Sequence, residues 1–176
     1  MVLATEAGHS SFAPHEELEI AVWRLLTPSF GRVSLERVLS GPGIVNLHCA
    51  LAVIAGRPQS RLTPERIVQQ ALAGTPDCFA TLTMFCSILG AAAGDIALTH
   101  GARGGVLVAG GIAPQIASFL AESPFRARFE DKGRLSEYMR AIPTRLIMNP
   151  EATLLGAAHA AVGAFAPEFR PHGVWR

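Results

Sequence analysis

The stretch "GGVLVAGGIAPQIASFLAES", residues 104–123, decides how the chain folds. It opens with a short apolar run rich in valine, the composition of a strand covered on both faces. Gly110 and Gly111 break the run. A helical pattern follows with Pro114 in its first turn, where a missing N–H is tolerated. Strand, glycine turn and helix in that order predict an α/β unit. Downstream, "FEDKGRLSEYMRAIP" (129–143) contains a short amphipathic helix, "TRLIMN" (144–149) reads as a second buried strand and "PEATLLGAAHAAVG" (150–163) as a closing helix. Two strands do not make a stable sheet alone. The expectation is therefore an incomplete sheet, of which this chain supplies the last part.

Upstream the pattern is helical. "HEELEIAVWRLL" (15–26) places Leu18, Ala21, Val22, Leu25 and Leu26 at helical spacing with acids in the first turn, and "TPSFG" interrupts it. "SLERVLSG" (34–41) predicts a short helix with Ser34 as N-cap and Gly41 as stop. The next helix is "PGIVNLHCALAVIAG" (42–56). "TPERIVQQALAG" (63–74) is punctuated by Thr63, Pro64 and Gly74. The longest pattern is 75–101, with Phe79, Leu82, Phe85, Cys86, Leu89, Ala93, Ile96 and Ala97 on one stripe. Its small residues Gly90, Ala91, Ala92 and Gly94 predict close packing against a neighbour. The whole reads as about seven helices with two or three strands, preceded by a loop over residues 1–14.

Composition removes several function classes. Of 176 residues, 49% are hydrophobic and 16% charged, enough apolar content for a sizeable core and against disorder. Fifteen basic residues nearly balance fourteen acidic ones without clustering, so no nucleic-acid surface is expected. No apolar run stands out as long enough to span a bilayer, and no secretory leader is evident. The three cysteines, Cys49, Cys78 and Cys86, sit in apolar stretches without a CxxC spacing. They read as buried, reduced thiols of a cytoplasmic protein. The scattered histidines form no HxxxH or HExxH pattern, so no metal ligand is assigned.

Three features could carry chemistry. The Gly110–Gly111 turn lets a ligand approach backbone closely, although it is neither a dinucleotide fingerprint nor a Walker loop, and it also fits a plain tight turn. Glu36 in "SLERVLSGPG" stabilises a helix start, or accepts hydrogen bonds from a polar ligand. Glu6 and His9 in "TEAGH" are an exposed acid and histidine, or an acceptor and a donor aimed at vicinal hydroxyls.

The segments "TEAGH", "FGRVSLERVLSGPGIVNL", "GGVLVAGGIAPQ" and "SPFRARFEDKGRLSEYMRAIPTRLIMNPEATLLGAAH" follow one another in the order and spacing of bacterial glucokinases. The chain closely resembles the C-terminal part of that family over roughly residues 4–163, with 164–176 as a tail. The resemblance implies a ribonuclease-H-like, actin/hexokinase-type α/β lobe. It implies transfer of the γ-phosphoryl group of ATP, with Mg2+, to the 6-hydroxyl of glucose, the first step of glycolysis. By the same resemblance Glu6, His9 and Glu36 bind the sugar hydroxyls, Gly110 and Gly111 form the adenosine-binding turn, and the protein is a homodimer. Thr5 stands where the family usually has Gly. The family's catalytic Asp, its neighbouring Asn and both phosphate loops match nothing in this chain, so little transfer is expected from this polypeptide alone. Alternatives are a non-catalytic sugar- or nucleotide-binding or oligomerisation module, and a kinase for a related hexose. An open edge on the strands further predicts pairing with another chain or a rearranged edge.

Overall fold

The computed structural model describes residues 5–59, 62–149 and 151–165, with side chains to 162. Eight helices occur among the described residues: α1 (Glu17–Phe30), α2 (Gly41–Ile54), α3 (Pro64–Leu72), α4 (Pro76–His100), α5 (Ala117–Glu122), α6 (Phe125–Glu130), α7 (Ser136–Arg140) and α8 (Ala152–Phe165). Two strands, β1 (Val106–Val108) and β2 (Thr144–Leu146), pair in parallel with Leu107 opposite Arg145. The connection between them runs through α5, α6 and α7, as a parallel pair requires.

The core is organised around α4. Pro76 opens it and Gly101, in the left-handed region at φ +59°, closes it. Leu82, Phe85, Cys86, Ala93 and Ala97 of the expected stripe are buried against α2, α3 and α6, while Phe79 and Ile96 at its ends are exposed. The small residues do what their spacing predicts. A Cβ on Gly90 would stand 2.1 Å from the Phe125 carbonyl oxygen, and one on Gly94 would stand 2.6 Å from that of Phe129. Helices α4 and α6 therefore touch backbone to backbone. By length and composition α4 is also apolar enough to cross a membrane, contrary to the expectation that no run is; two-thirds of its most apolar window lies inside this core.

Other boundaries differ from expectation, each for a local reason. The "TPSFG" segment does not interrupt α1, which continues through Pro28 to Phe30. Thr27 bonds its hydroxyl back to the Trp23 carbonyl at 2.7 Å, and Gly31, at φ +67°, supplies the actual stop. Gly41 is not a stop but the first residue of α2. Ser40 is the N-cap, its hydroxyl accepting the Gly43 N–H at 3.0 Å, so 34–41 holds only a 3-10 turn, Leu35–Arg37. The single helix expected within 129–143 is resolved into the end of α6, a 3-10 turn at Gly133–Leu135, and α7.

The strands are half-buried rather than covered on both faces. Val108 and Leu146 turn toward Leu120 and Phe125, whereas Leu107 on the opposite face is 62% exposed. Among the thiols Cys78 and Cys86 are buried and Cys49 is half-buried, all free, with burial pushing Cys86 up to about 11. The expected tail lies outside the described residues from 166 onward.

One buried charge pair joins α1 to α6. The Glu19 carboxylate, at the start of α1, accepts from Arg128 Nη2 of α6 at 3.0 Å to each oxygen. It also accepts the backbone N–H groups of His15 at 2.7 Å and Glu16 at 3.3 Å. Arg126, two residues earlier, donates to the carbonyls of Arg140 and Ile142 and so ties the end of α7 to the approach to β2.

Candidate functional site

Two segments far apart in sequence are laid side by side near the N-terminus. Residues 10–12 run antiparallel to 33–35, through Phe12 N–H to the Val33 carbonyl and Leu35 N–H to the Ser10 carbonyl, both at 2.9 Å, with Ser11 bridging Ser34. Phe12, Val33 and Val38 are buried beneath this pairing and give it an apolar anchor. At its open end the first segment carries the 3-10 turn Ala7–His9, closed by His9 N–H to the Glu6 carbonyl at 2.9 Å. The second carries the 3-10 turn Leu35–Arg37.

The outcome places His9 beside Glu36. The imidazole Nδ1 lies 3.8 Å from Glu36 Oε2, and both side chains are more than half exposed. That separation is too long for a direct hydrogen bond. Each group therefore keeps its capacity toward a third polar atom between them. A hydroxyl lying off the line joining them could meet both at an ordinary length of about 2.8 Å. Glu6 is exposed in the same turn as His9. The turn runs beside Glu36, whose Cβ would make an ordinary 4.0 Å contact with a Cβ at position 8.

The Glu36 turn is fixed from α2. Ser40 donates its hydroxyl proton to the Glu36 carbonyl at 2.7 Å while capping α2, and Asn46 Nδ2 donates to the Arg37 carbonyl at 2.9 Å. On the other side Arg32 Nη1 donates to the His9 carbonyl at 2.6 Å. These three polar side chains were not among the residues singled out from sequence. Ser40 had a readable signal, standing one residue before Gly41-Pro42 as a helix cap does. Arg32 and Asn46 had none, because each acts on a backbone carbonyl that only the fold brings near. Beside the turn lies an open cleft of about 510 Å³, lined by Ser11, Phe12, Ile20, Trp23, Arg32 and Val33.

Gly110 and Gly111 stand elsewhere, just beyond the end of β1. Gly110 has φ +111°, where a side chain is strained. No atom comes within 4 Å of a Cβ built on either glycine, so the turn presents open backbone. Gln115 donates to the Gly111 carbonyl at 2.7 Å and holds that side of the turn. Nearby, a cleft of about 260 Å³ lies between the strands and α5–α6, walled by Val108, Leu120, Phe125 and Leu146 with Arg126 and Thr144. Among the described residues no three His, Cys, Asp or Glu side chains cluster as metal ligands would.

A helix-rich lobe with a small parallel sheet is consistent with a partial α/β sugar-kinase lobe, the class to which its structural neighbours belong. The family model described as Glucokinase matches residues 1–164. The chain is 56% identical over 158 residues to a glucokinase of Caulobacter sp. (strain K31), covering 90% of this chain and 48% of that protein. It is 46% identical over 170 residues to a glucokinase of Chromobacterium violaceum, covering 96% and 49% respectively. A crystal structure of glucokinase from an Antarctic psychrotroph superposes with a TM-score of 0.85 at 41% identity, over 91% of this chain and 50% of that one. A glucokinase from Balamuthia mandrillaris, solved in complex with glucose, shares the fold with a TM-score of 0.70 at 19% identity, over 82% and 42%. The chain belongs to the glucokinase family, and it spans about half the length of the curated relatives it matches.

Proposed function

We propose that this chain forms the sugar-holding part of an ATP-dependent glucokinase, in which Glu6, His9 and Glu36 bind hydroxyls of glucose. The observation that carries the reading is the convergence of His9 and Glu36, from separate segments, at 3.8 Å on an exposed surface. A carboxylate accepts from a hydroxyl proton and an imidazole can donate to a hydroxyl lone pair, so the pair fits a polyol better than an apolar ligand. Polar contacts of this kind also select strongly against analogues lacking the hydroxyl. Family membership supplies glucose as the sugar; a related hexose fits the same chemistry less economically.

In this reading the lobe has the ribonuclease-H-like, actin/hexokinase-type arrangement and acts in the cytoplasm as a homodimer. Mg·ATP supplies the phosphoryl group that is transferred to the 6-hydroxyl. The open backbone at Gly110 and Gly111 suits close approach of the adenosine portion, and Mg2+ is carried by the nucleotide phosphates rather than by a carboxylate cluster of this chain. Transfer of this type depends on positioning and charge stabilisation. The part assigned to Glu6, His9 and Glu36 is to orient the sugar.

Glucose titrated into the 15N-labelled chain tests the assignment. The amide signals of residues 6–9 and of 36 should move together along one saturation curve. Shifts confined to other regions, or none up to tens of millimolar, would refute it.

A further inference from the structure

We infer that Arg32 is a positioning residue for the sugar site, holding His9 at its distance from Glu36. The inference rests on the reading of Glu6, His9 and Glu36 as sugar contacts, and extends it to a residue outside that set. The backbone pairing described above ends at Ser10 on one segment and Leu35 on the other. Beyond that point the Ala7–His9 turn is held by its own short-range bonds, His9 N–H to Glu6 and Ser10 N–H and hydroxyl to Ala7. Those bonds shape the turn and do not tether it. The approach of His9 to Glu36 at 3.8 Å is looser. Among the described residues, the hydrogen bond that ties this turn to the second segment comes from Arg32, whose Nη1 reaches across to the His9 carbonyl at 2.6 Å. A charged donor at that length makes a strong, directional bond.

Arg32 is well placed for this role. It follows Gly31, whose φ of +67° turns the chain out of α1 and into the segment paired with residues 10–12. It stands four residues before Glu36 on that same segment. One side chain thus references the His9 turn to the strand that leads directly into the Glu36 turn. Glu36 has its own anchors in Ser40 and Asn46, so loss of Arg32 should free His9 while leaving Glu36 in place. Lysine at position 32 keeps the charge and offers N–H donors from one nitrogen, of which the one bond to the carbonyl needs a single N–H.

The test compares wild type, Arg32→Met and Arg32→Lys by glucose titration and by amide hydrogen exchange. Arg32→Met should weaken glucose binding roughly three- to tenfold, the equivalent of about one charge-assisted hydrogen bond at an exposed site. Exchange at the His9 and Ser10 amides should quicken, with α4 amides and the melting temperature unchanged. Arg32→Lys should recover at least half of the loss in both readouts. A purely structural role would instead move α4 exchange and the melting temperature. That result, or unchanged affinity in Arg32→Met, overturns the inference. If the wild-type chain binds no glucose, the sugar-site reading fails. Exchange then decides separately: quickened His9 and Ser10 amides in Arg32→Met, restored by lysine, support the tether, and unchanged amides refute it.

Discussion

Replacing Gly90 by alanine should separate the two helices at the centre of the fold. A Cβ at that position would stand 2.1 Å from the Phe125 carbonyl oxygen, 2.8 Å from its carbonyl carbon and 2.9 Å from its Cα. All three are backbone atoms, so no rotamer change relieves the contact, and α6 would have to retreat by about 1 Å. Overpacking of this kind costs about 1–3 kcal/mol and sometimes more. Alanine returns up to about 1 kcal/mol through its better helix propensity. With backbone on both sides of the contact the net loss should be roughly 2 kcal/mol, or about 4–8 °C in melting temperature for a chain of this size. Gly94→Ala should cost less, because its nearest backbone neighbour, the Phe129 carbonyl oxygen, stands at 2.6 Å rather than 2.1 Å. Gly156→Ala in α8 meets nothing within 4 Å and should be neutral or stabilising. Thermal melts followed by circular dichroism measure the series. A Gly90→Ala protein that melts at or above wild type would refute the backbone contact between α4 and α6.

Two further perturbations probe the buried polar groups. Arg128→Met leaves the Glu19 carboxylate, 1% exposed, with only its two backbone donors. The loss should lie near the lower end of the range for breaking a buried pair, about 3 kcal/mol. Urea titration should show the double variant Glu19→Gln/Arg128→Met regaining at least half of it; no recovery would contradict the charge-pair account. His48 concerns pH. Thr81 gives its hydroxyl proton to the Asp77 carbonyl at 2.8 Å and so accepts from His48 Nδ1 at 3.0 Å. Burial lowers the His48 pKa below 6.5, against Asp77 and with a smaller push from Arg57. The unfolded chain then takes up the proton first, so the stability due to neutral His48 is full above about pH 6.5 and is lost as pH falls through the folded value. Melting temperature should drop between pH 7.5 and 5.5 more steeply in wild type than in His48→Gln, and equal slopes would count against this assignment.

The α/β ending and the central helix were legible because their signals are local. Valine runs, Gly110–Gly111 and Pro114 punctuate the first, and the Gly90–Gly94 spacing marks the face that meets α6. Boundaries were less legible where side chains decide them. The proline in α1 reads as a break, yet the helix runs through it to the stop at Gly31, and Ser40 turns Gly41 from an apparent stop into a start. The site was legible in part. Glu6, His9 and Glu36 stand out by residue type and resemblance, but the approach of His9 to Glu36 depends on the pairing of 10–12 with 33–35. That pairing carries no periodic pattern, and the Arg32 bond spans 23 positions. The Glu19–Arg128 pair, 109 positions apart, was invisible for the same reason.

The most direct test of the account is calorimetric titration of glucose into wild type, His9→Ala and Glu36→Gln. The account predicts saturable binding in wild type, weakened at least about tenfold in each variant, the equivalent of about 1.4 kcal/mol for one lost polar contact. Binding of equal strength in all three proteins would contradict it, as would wild type that takes up no glucose.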